Sequence, residues 1–465
     1  MPSLFFIERR WVTTAVLIGI IVVASLVIIS VYSPPENKMS ETAKICADSA
    51  KTEACKEALL SSEIWGVKKW TKTFGSPSSY DAASSVRQTS DGGFIIIGTT
   101  GRNASNFTRF ASTYFIKTDN DGNTVWEKIF GADEGIGGKS AQQTSDGGYI
   151  IAGGIAIPLK KVDDYSAKYK SNIYLSKTDA DGNIIWEKNH GAGDADERVW
   201  GQLVRQTTDG GYIILGVVLV GADPHIHLLK VNTNGNMQWN KTFGEYYSEI
   251  GYSVQQTFDG GYIVTADTRR GIKGNEGDIH LIKTDGNGNL VWDKLIDPLG
   301  KHENDYPYDA KQTSDGGYII LEYTEDESGT GAGNTYLLKI DPDGNMDWRK
   351  ILLELFAGYT LDIASDDGYI VTGRISTRAV DNNYLIKMKT NADGNVLWTK
   401  AIDENVSGTY NSIQQTSDGG YLVYTNQESG VFGSGLVNTD IVLVKIDETS
   451  TPRPPIEGKP VIIKK

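Results

Sequence analysis

Short apolar runs rich in Ile, Val, Leu and Tyr recur along most of this 465-residue chain, each bounded by Asp, Gly or Asn. Runs of that length and composition, closed by turn residues, predict β-strands. Gly-Tyr-Ile-Ile follows Asp-Gly-Gly, Tyr-Leu-Ile-Lys precedes Asp-x-Asp-Gly-Asn, and a run carrying Trp-x-Lys comes next. The stretch QTSDGGYII at 143–151 returns unchanged at 312–320. Close copies place the motif aspartate at Asp91, Asp146, Asp209, Asp259, Asp315, Asp366 and Asp418, with spacings of 55, 63, 50, 56, 51 and 52 residues. Each repeat therefore reads as four strands, the first ending in Gln-Thr.

A period near 50 residues with four strands per period predicts a β-propeller, one blade per repeat. Such a unit cannot bury both of its faces alone. The repeat at Val442 stops before its Trp, whereas WTKTFG at 70–75 is a fourth strand with no repeat before it. The expectation is an all-β, seven-bladed propeller over 64–448, its last blade closed by the N-terminal strand. Trp70, Trp126, Trp186, Trp239, Trp292, Trp348 and Trp398 then supply one tryptophan per blade. Closure removes the exposed edges that make open sheets adhesive.

The recurring polar motifs fit turn chemistry. Asp-Gly between apolar strands predicts a type I′ hairpin, in which both central residues need positive φ. The sixth copy puts Asp367 where the others have Gly. The Asp-x-Asp-Gly-Asn segments resemble a calcium loop, but an EF-hand needs Gly sixth and Glu twelfth. From Asp119 the glycine is fourth and the twelfth residue is Phe130. They read as connections between third and fourth strands, and a weak surface calcium is the one cofactor candidate. A lysine recurs at Lys117, Lys177, Lys230, Lys283, Lys339, Lys387 and Lys445. Mid-blade and close to acidic turns, it predicts packing and ion pairing. His225 and His227 share a strand face, but His227 stands in an aromatic column, which predicts packing rather than metal ligation.

The N-terminal region departs from this pattern. Trp11–Tyr32 has no charged residue and, as a helix, spans roughly 33 Å, enough for a bilayer core. Arg9 and Arg10 precede it, so residues 1–10 are expected in the cytoplasm and the propeller outside or in the periplasm. The membrane is thus one expected partner, through a single-pass anchor. A short helical stalk is expected over 33–63, and a flexible Pro-rich tail over 449–465. The two cysteines, Cys46 and Cys55, are a disulfide candidate, within a small hairpin or between chains. Asn103, Asn106, Asn240 and Asn405 are glycosylation candidates.

Composition narrows the partners. The formal charge is −14 and no long basic run occurs, which argues against a nucleic-acid partner. No nucleophile elbow, zincin helix or phosphate-binding loop is present.

Where KTDxDGNxxW follows DGGYII, the chain resembles secreted or membrane-anchored bacterial and archaeal β-propeller repeat proteins of the SBBP and quinoprotein-like type. The resemblance covers Trp65 to about Glu448, and Asp-x-x-Gly-Asn-x-x-Trp is similar to the tryptophan-docking motif of quinoprotein propellers. It implies the propeller fold and a cell-surface setting. Quinoprotein dehydrogenases have eight blades and a vicinal cysteine pair over the cofactor; this chain has seven copies and no such pair.

Function is then expected in the connections that vary between repeats, which lie on the face opposite the Asp-Gly-Gly turns. The ligand-binding candidates there are Tyr80, Asp133, Asp194, Asp196, Trp200, Tyr247, Glu249, Asp305 and Tyr306. Acidic groups with exposed aromatics suit sugars, cationic peptides or calcium. The expected function is an extracellular binding module for carbohydrate or protein, with a propeller that is itself monomeric. The alternatives are an envelope assembly scaffold, or a lyase- or glycosidase-like enzyme at the channel mouth, which needs two converging carboxylates.

Overall fold

The computed structural model describes residues 64–453, apart from 77–78, 102–111, 132–134, 159–168, 192–197, 245–247, 270–276, 297–303, 326–332, 355, 377–382, 404–409 and 432–436. The Trp11–Tyr32 segment, the stalk with Cys46 and Cys55, most of the tail, and Asn103, Asn106 and Asn405 lie outside the described residues. Among the described residues no helix is long and apolar enough to cross a membrane.

The described residues form 28 β-strands in a propeller arrangement. They run as four-stranded antiparallel meanders over 82–130, 136–190, 198–243, 248–296, 304–354 and 356–403, called here the first to sixth units. The last unit combines three strands from 410–453 with Ile64–Phe74. That N-terminal strand lies antiparallel to Val437–Arg453, with Trp70 opposite Lys445 and Phe74 opposite Ile441. The expectation of a propeller is met but its count of seven blades is corrected: backbone pairing groups the strands into five sheets, three of four strands and two of eight. The eight-stranded sheets arise because single parallel bridges, Ile64 to Ala401 and Gly277 to Asn304, tie two neighbouring units at their corners.

Both faces of each unit are covered by neighbours. In the strand Phe94–Thr100, Ile95 and Ile97 pack on Ala141, Tyr149 and Ile151 of the second unit. Phe94 and Ile96, on the other face, join Leu422 and Leu443 of the last unit. Strict alternation of side chains explains the split, and burial on both faces explains why these strands read as unbroken apolar runs.

Two columns of side chains stitch the units together. Six of the seven outer tryptophans, all but Trp398, lie against the next unit: the Trp70 indole N–H donates to the carbonyl of Asn120, Trp126 to Ala180 and Trp292 to Pro342. The rings also meet the buried aromatic that opens the next second strand, with Trp126 and Tyr149 centroids 5.9 Å apart. A glutamine at the end of the inner strand serves the opposite edge. Its carbonyl accepts the turn N–H of the preceding unit, from Ser90 to Gln143, Ser145 to Gln206, Thr208 to Gln256 and Phe258 to Gln312.

The turns correct the type I′ expectation. Gly92 has φ of 83°, and Thr89 pairs with Gly93 while the Gly92 N–H donates to the Thr89 carbonyl. This is a type I turn followed by one left-handed residue. Asp91 sits before that position and uses its carboxylate as a hub, accepting from Thr89, the Gly93 N–H and Lys117. In the sixth copy Asp367 takes the left-handed position itself, with φ of 58°. The lysine column also shifts there: Lys389, not Lys387, pairs with Asp366, and Lys387 pairs with Glu448. The longer Lys-Met-Lys-Thr-Asn-Ala-Asp-Gly-Asn segment moves the register by two residues.

Candidate functional site in the central channel

Each inner strand carries a β-bulge at the same place. Register slips between Ala83 and Ser85, Gly138 and Ser140, Gly201 and Leu203, Gly251 and Ser253, Pro307 and Asp309, Gly358 and Thr360, and Tyr410 and Ser412. The skipped residues are Ser84, Lys139, Gln202, Tyr252, Tyr308, Tyr359 and Asn411. A bulge leaves one residue unpaired and re-aims its side chain. The first six of these residues line a single cavity of about 490 Å³ at the centre of the ring, together with residues from all the inner strands.

The bulge position is where the repeats diverge most usefully. The fourth, fifth and sixth units place Tyr252, Tyr308 and Tyr359 there. Tyr252 lies 5.9 Å from Tyr308 and 6.4 Å from Tyr306 between ring centroids, and Tyr323 stacks on both Tyr306 and Tyr308. Burial raises the Tyr308 and Tyr359 phenols above their ordinary range, so they stay neutral at physiological pH.

Three residues farther along each strand, towards the Asp-Gly-Gly turns, a second layer contains Arg87, Arg205, Lys311, Asp362 and Gln414. Lys311 pairs with Asp309 at 3.2 Å. Asp309 also accepts from Ser253 and from the Ala310 N–H. Burial raises Asp362 above the ordinary carboxylate range, against the opposing pull of Lys311. Arg205 is lowered to about 10, first by burial and then by the nearby charge of Arg87. It remains charged at neutral pH.

The variable-loop face holds a different arrangement. Ten residues before each motif aspartate lies a buried column, occupied by Ile136, Val199 and Phe356 in three units and by Asp81, Glu249 and Asp305 in three others. Asp81 accepts from the Ser79 hydroxyl and the Ser76 N–H. Glu249, fully buried, faces Nδ1 of His225 at 3.8 Å and Nδ1 of His280 at 3.2 Å. Gly244 is required beside it, since with φ of 127° a Cβ there would collide with the Glu249 carboxylate. His227 instead packs as an aromatic and contacts Thr242; burial lowers it to about 4, so it is neutral.

Asp305 meets Glu322 through Thr324, whose hydroxyl lies 2.7 Å from Asp305 and 2.9 Å from Glu322. One hydroxyl proton shared between two carboxylates leaves both poorly satisfied, which favours a proton on one acid. Burial, followed by the Glu322 charge, pushes Asp305 up to about 8. Arg349 forks onto Glu322 and lies 3.5 Å over the Tyr336 ring. Two carboxylates do converge here, but both are buried and neither lines the channel.

The expected site residues therefore separate. Glu249 and Asp305 are buried beneath the loop face rather than presented at the mouth. Tyr80 is exposed at the rim, bridged to Thr439, and Trp200 is half-buried against Gly154. Tyr306 belongs to the tyrosine cluster, and Asn240 is half-buried on an outer strand. Asp133, Asp194, Asp196 and Tyr247 lie outside the described residues. The channel residues Arg87, Arg205, Tyr252 and Tyr359 were not expected. Their signal is positional: aligned on the motif aspartate, the arginines share a column with three Gln, one Lys and one Asp, and the tyrosines share one with Ser, Lys, Gln and Asn. Among the described residues no group of three His, Cys, Asp or Glu is arranged to hold a metal ion.

No protein-family model matches the chain, and no curated protein matches its sequence. Among solved structures, the polysaccharide lyase Uly1 is similar at a TM-score of 0.49 and 11% identity, over 78% of this chain and 89% of its own. A protein of unknown function from Dyadobacter fermentans gives 0.46 at 12% identity, over 83% and 99%. Sqt1 from Chaetomium thermophilum gives 0.42 at 10% identity, over 82% and 100%. Each score is below 0.5, so the fold rests on the strand pairing above.

Proposed function

We propose that this protein is a membrane-anchored extracellular binding module of the secreted propeller-repeat kind, and that carbohydrate is the ligand of its central channel. The repeat units act as seven blades, with the corner bridges as contacts between blades rather than mergers of them. The observation that carries this reading is the ring of bulges that turns six side chains, three of them tyrosines, into one cavity of about 490 Å³. That volume lies within the range of small-ligand sites, roughly 300–1,000 Å³. It suits a short saccharide and excludes a folded protein. Neutral tyrosines offer flat apolar faces with a polar edge, which is the chemistry that sugar rings accept. Trp11–Tyr32 is the anchor that would hold this module outside the cell.

A glycan-array screen of the full chain, with Tyr308→Ala and Tyr252→Ala as comparisons, tests the reading. Saccharide binding that falls at least tenfold in either variant is expected. Saccharide binding that ignores both substitutions, or no binding to any glycan, would overturn it.

A further inference from the structure

We propose that the channel is selective for an oxyanion-bearing saccharide, with Arg87 and Arg205 receiving a carboxylate and the tyrosine layer flanking the sugar body. The inference rests on the channel being the ligand site, and adds the charge class of the ligand.

The side chains of Arg87 and Arg205 make no hydrogen bond and no ion pair with the described residues, yet both residues line the channel. Burial and the Arg87 charge both weigh against the Arg205 guanidinium, and the Asp309 charge offsets them only in part, so a further anion beside it would be favourable. Among the described residues the carboxylates in the lining are Asp309 and Asp362, against Arg87, Arg205, Lys139 and Lys311. Asp309 is already held by Lys311, Ser253 and the Ala310 N–H. The cavity is thus cationic inside a chain whose formal charge is −14. At physiological salt, charge beyond about 8 Å is screened, so the local excess governs what enters. A guanidinium presents paired donors that match carboxylate and phosphate geometry.

The spacing agrees. Three strand residues separate the tyrosine layer from the arginine layer, about 10 Å along an extended strand. A ligand can therefore seat an acidic group on the arginines while a sugar ring remains beside Tyr252 and Tyr308. Free phosphate offers the same charge chemistry without the ring.

Calorimetric titration of the full chain separates these cases, using trigalacturonate, neutral maltotriose and inorganic phosphate as probes. The expected result is trigalacturonate binding at least tenfold tighter than maltotriose, weakening as salt rises. Arg205→Gln should lose at least tenfold of it, Arg205→Lys should recover part, and unfolding temperatures should stay unchanged. Phosphate binding as tightly as trigalacturonate, with the same dependence on Arg205, would support the oxyanion site but remove the saccharide from it. Trigalacturonate binding unaffected by Arg205→Gln would overturn the inference. Maltotriose binding alone would also overturn it while leaving the carbohydrate reading intact. Binding of none of the three probes, with the glycan array also blank, would remove both readings.

Discussion

Ser417 and Gln88 stand 329 residues apart in the chain, yet the Ser417 N–H donates to the Gln88 side-chain carbonyl at 2.7 Å. The bond is one step of the glutamine column, and it joins the last unit to the first. The same glutamine donates to the Gly92 carbonyl in its own turn. Gln88→Ala removes both, at a cost of about 1 kcal/mol per bond. The unfolding free energy from a urea melt should fall by about 2 kcal/mol, moving the midpoint lower with an unchanged slope. An unchanged midpoint would mean that the column follows the ring rather than holding it.

Two glycines distinguish docking from turn strain. At Gly235, with φ of 74°, an added Cβ would come within 2.6 Å of the Trp186 ring. At Gly147, with φ of 85°, it would meet nothing within 4 Å. Gly147→Ala should therefore cost about 1 kcal/mol, for left-handed backbone alone. Gly235→Ala adds overpacking, for a total of about 2–4 kcal/mol. Equal losses in chemical denaturation would argue that the tryptophan has room to move.

Asp305 gives stability an alkaline limb. Its pKa rises from the ordinary 3.8 when unfolded to about 8 when folded. The folded state thus keeps a proton that the unfolded state releases, so stability falls as pH rises from about 4 to 8. One proton corresponds to a slope of up to about 1.4 kcal/mol per pH unit. Asp305→Asn cannot ionise and should flatten this limb, exceeding the parent in stability at pH 9. Denaturation series at pH 5, 7 and 9 would test it, and parallel profiles for both proteins would refute the assignment.

The repeat, the tryptophan series and the N-terminal closing strand were legible because each rests on local patterning: QTSDGGYII marks a turn, and the missing partner of Trp70 marks a seam. Sheet count was not, because Gly277 and Asn304 form a single bridge that no pattern announces. Two of the loop-face candidates lie deeper than their segments suggested. Glu249 and Asp305 stand in variable segments and carry charge, which suggested exposure, but their column is buried and holds Ile136 or Phe356 elsewhere. Arg205 was passed over for the opposite reason. It sits inside a repetitive strand, and only the bulge, a backbone feature with no sequence signature of its own, turns such strands into the wall of a channel.

The strand Ile64–Phe74 pairs along its length with Val437–Arg453. That pairing has the largest sequence separation among the described strand pairs, so its loop-closure entropy is the largest among them, and contacts of such separation form slowly. During synthesis the first strand must wait, with one edge open, until every other unit has been made. The order of assembly is therefore written into the topology: neighbouring units can dock as they emerge, and the ring shuts last. A cell making this protein has to guard one unpaired strand for the duration of translation, and a chain interrupted before residue 437 would leave that strand without its antiparallel partner.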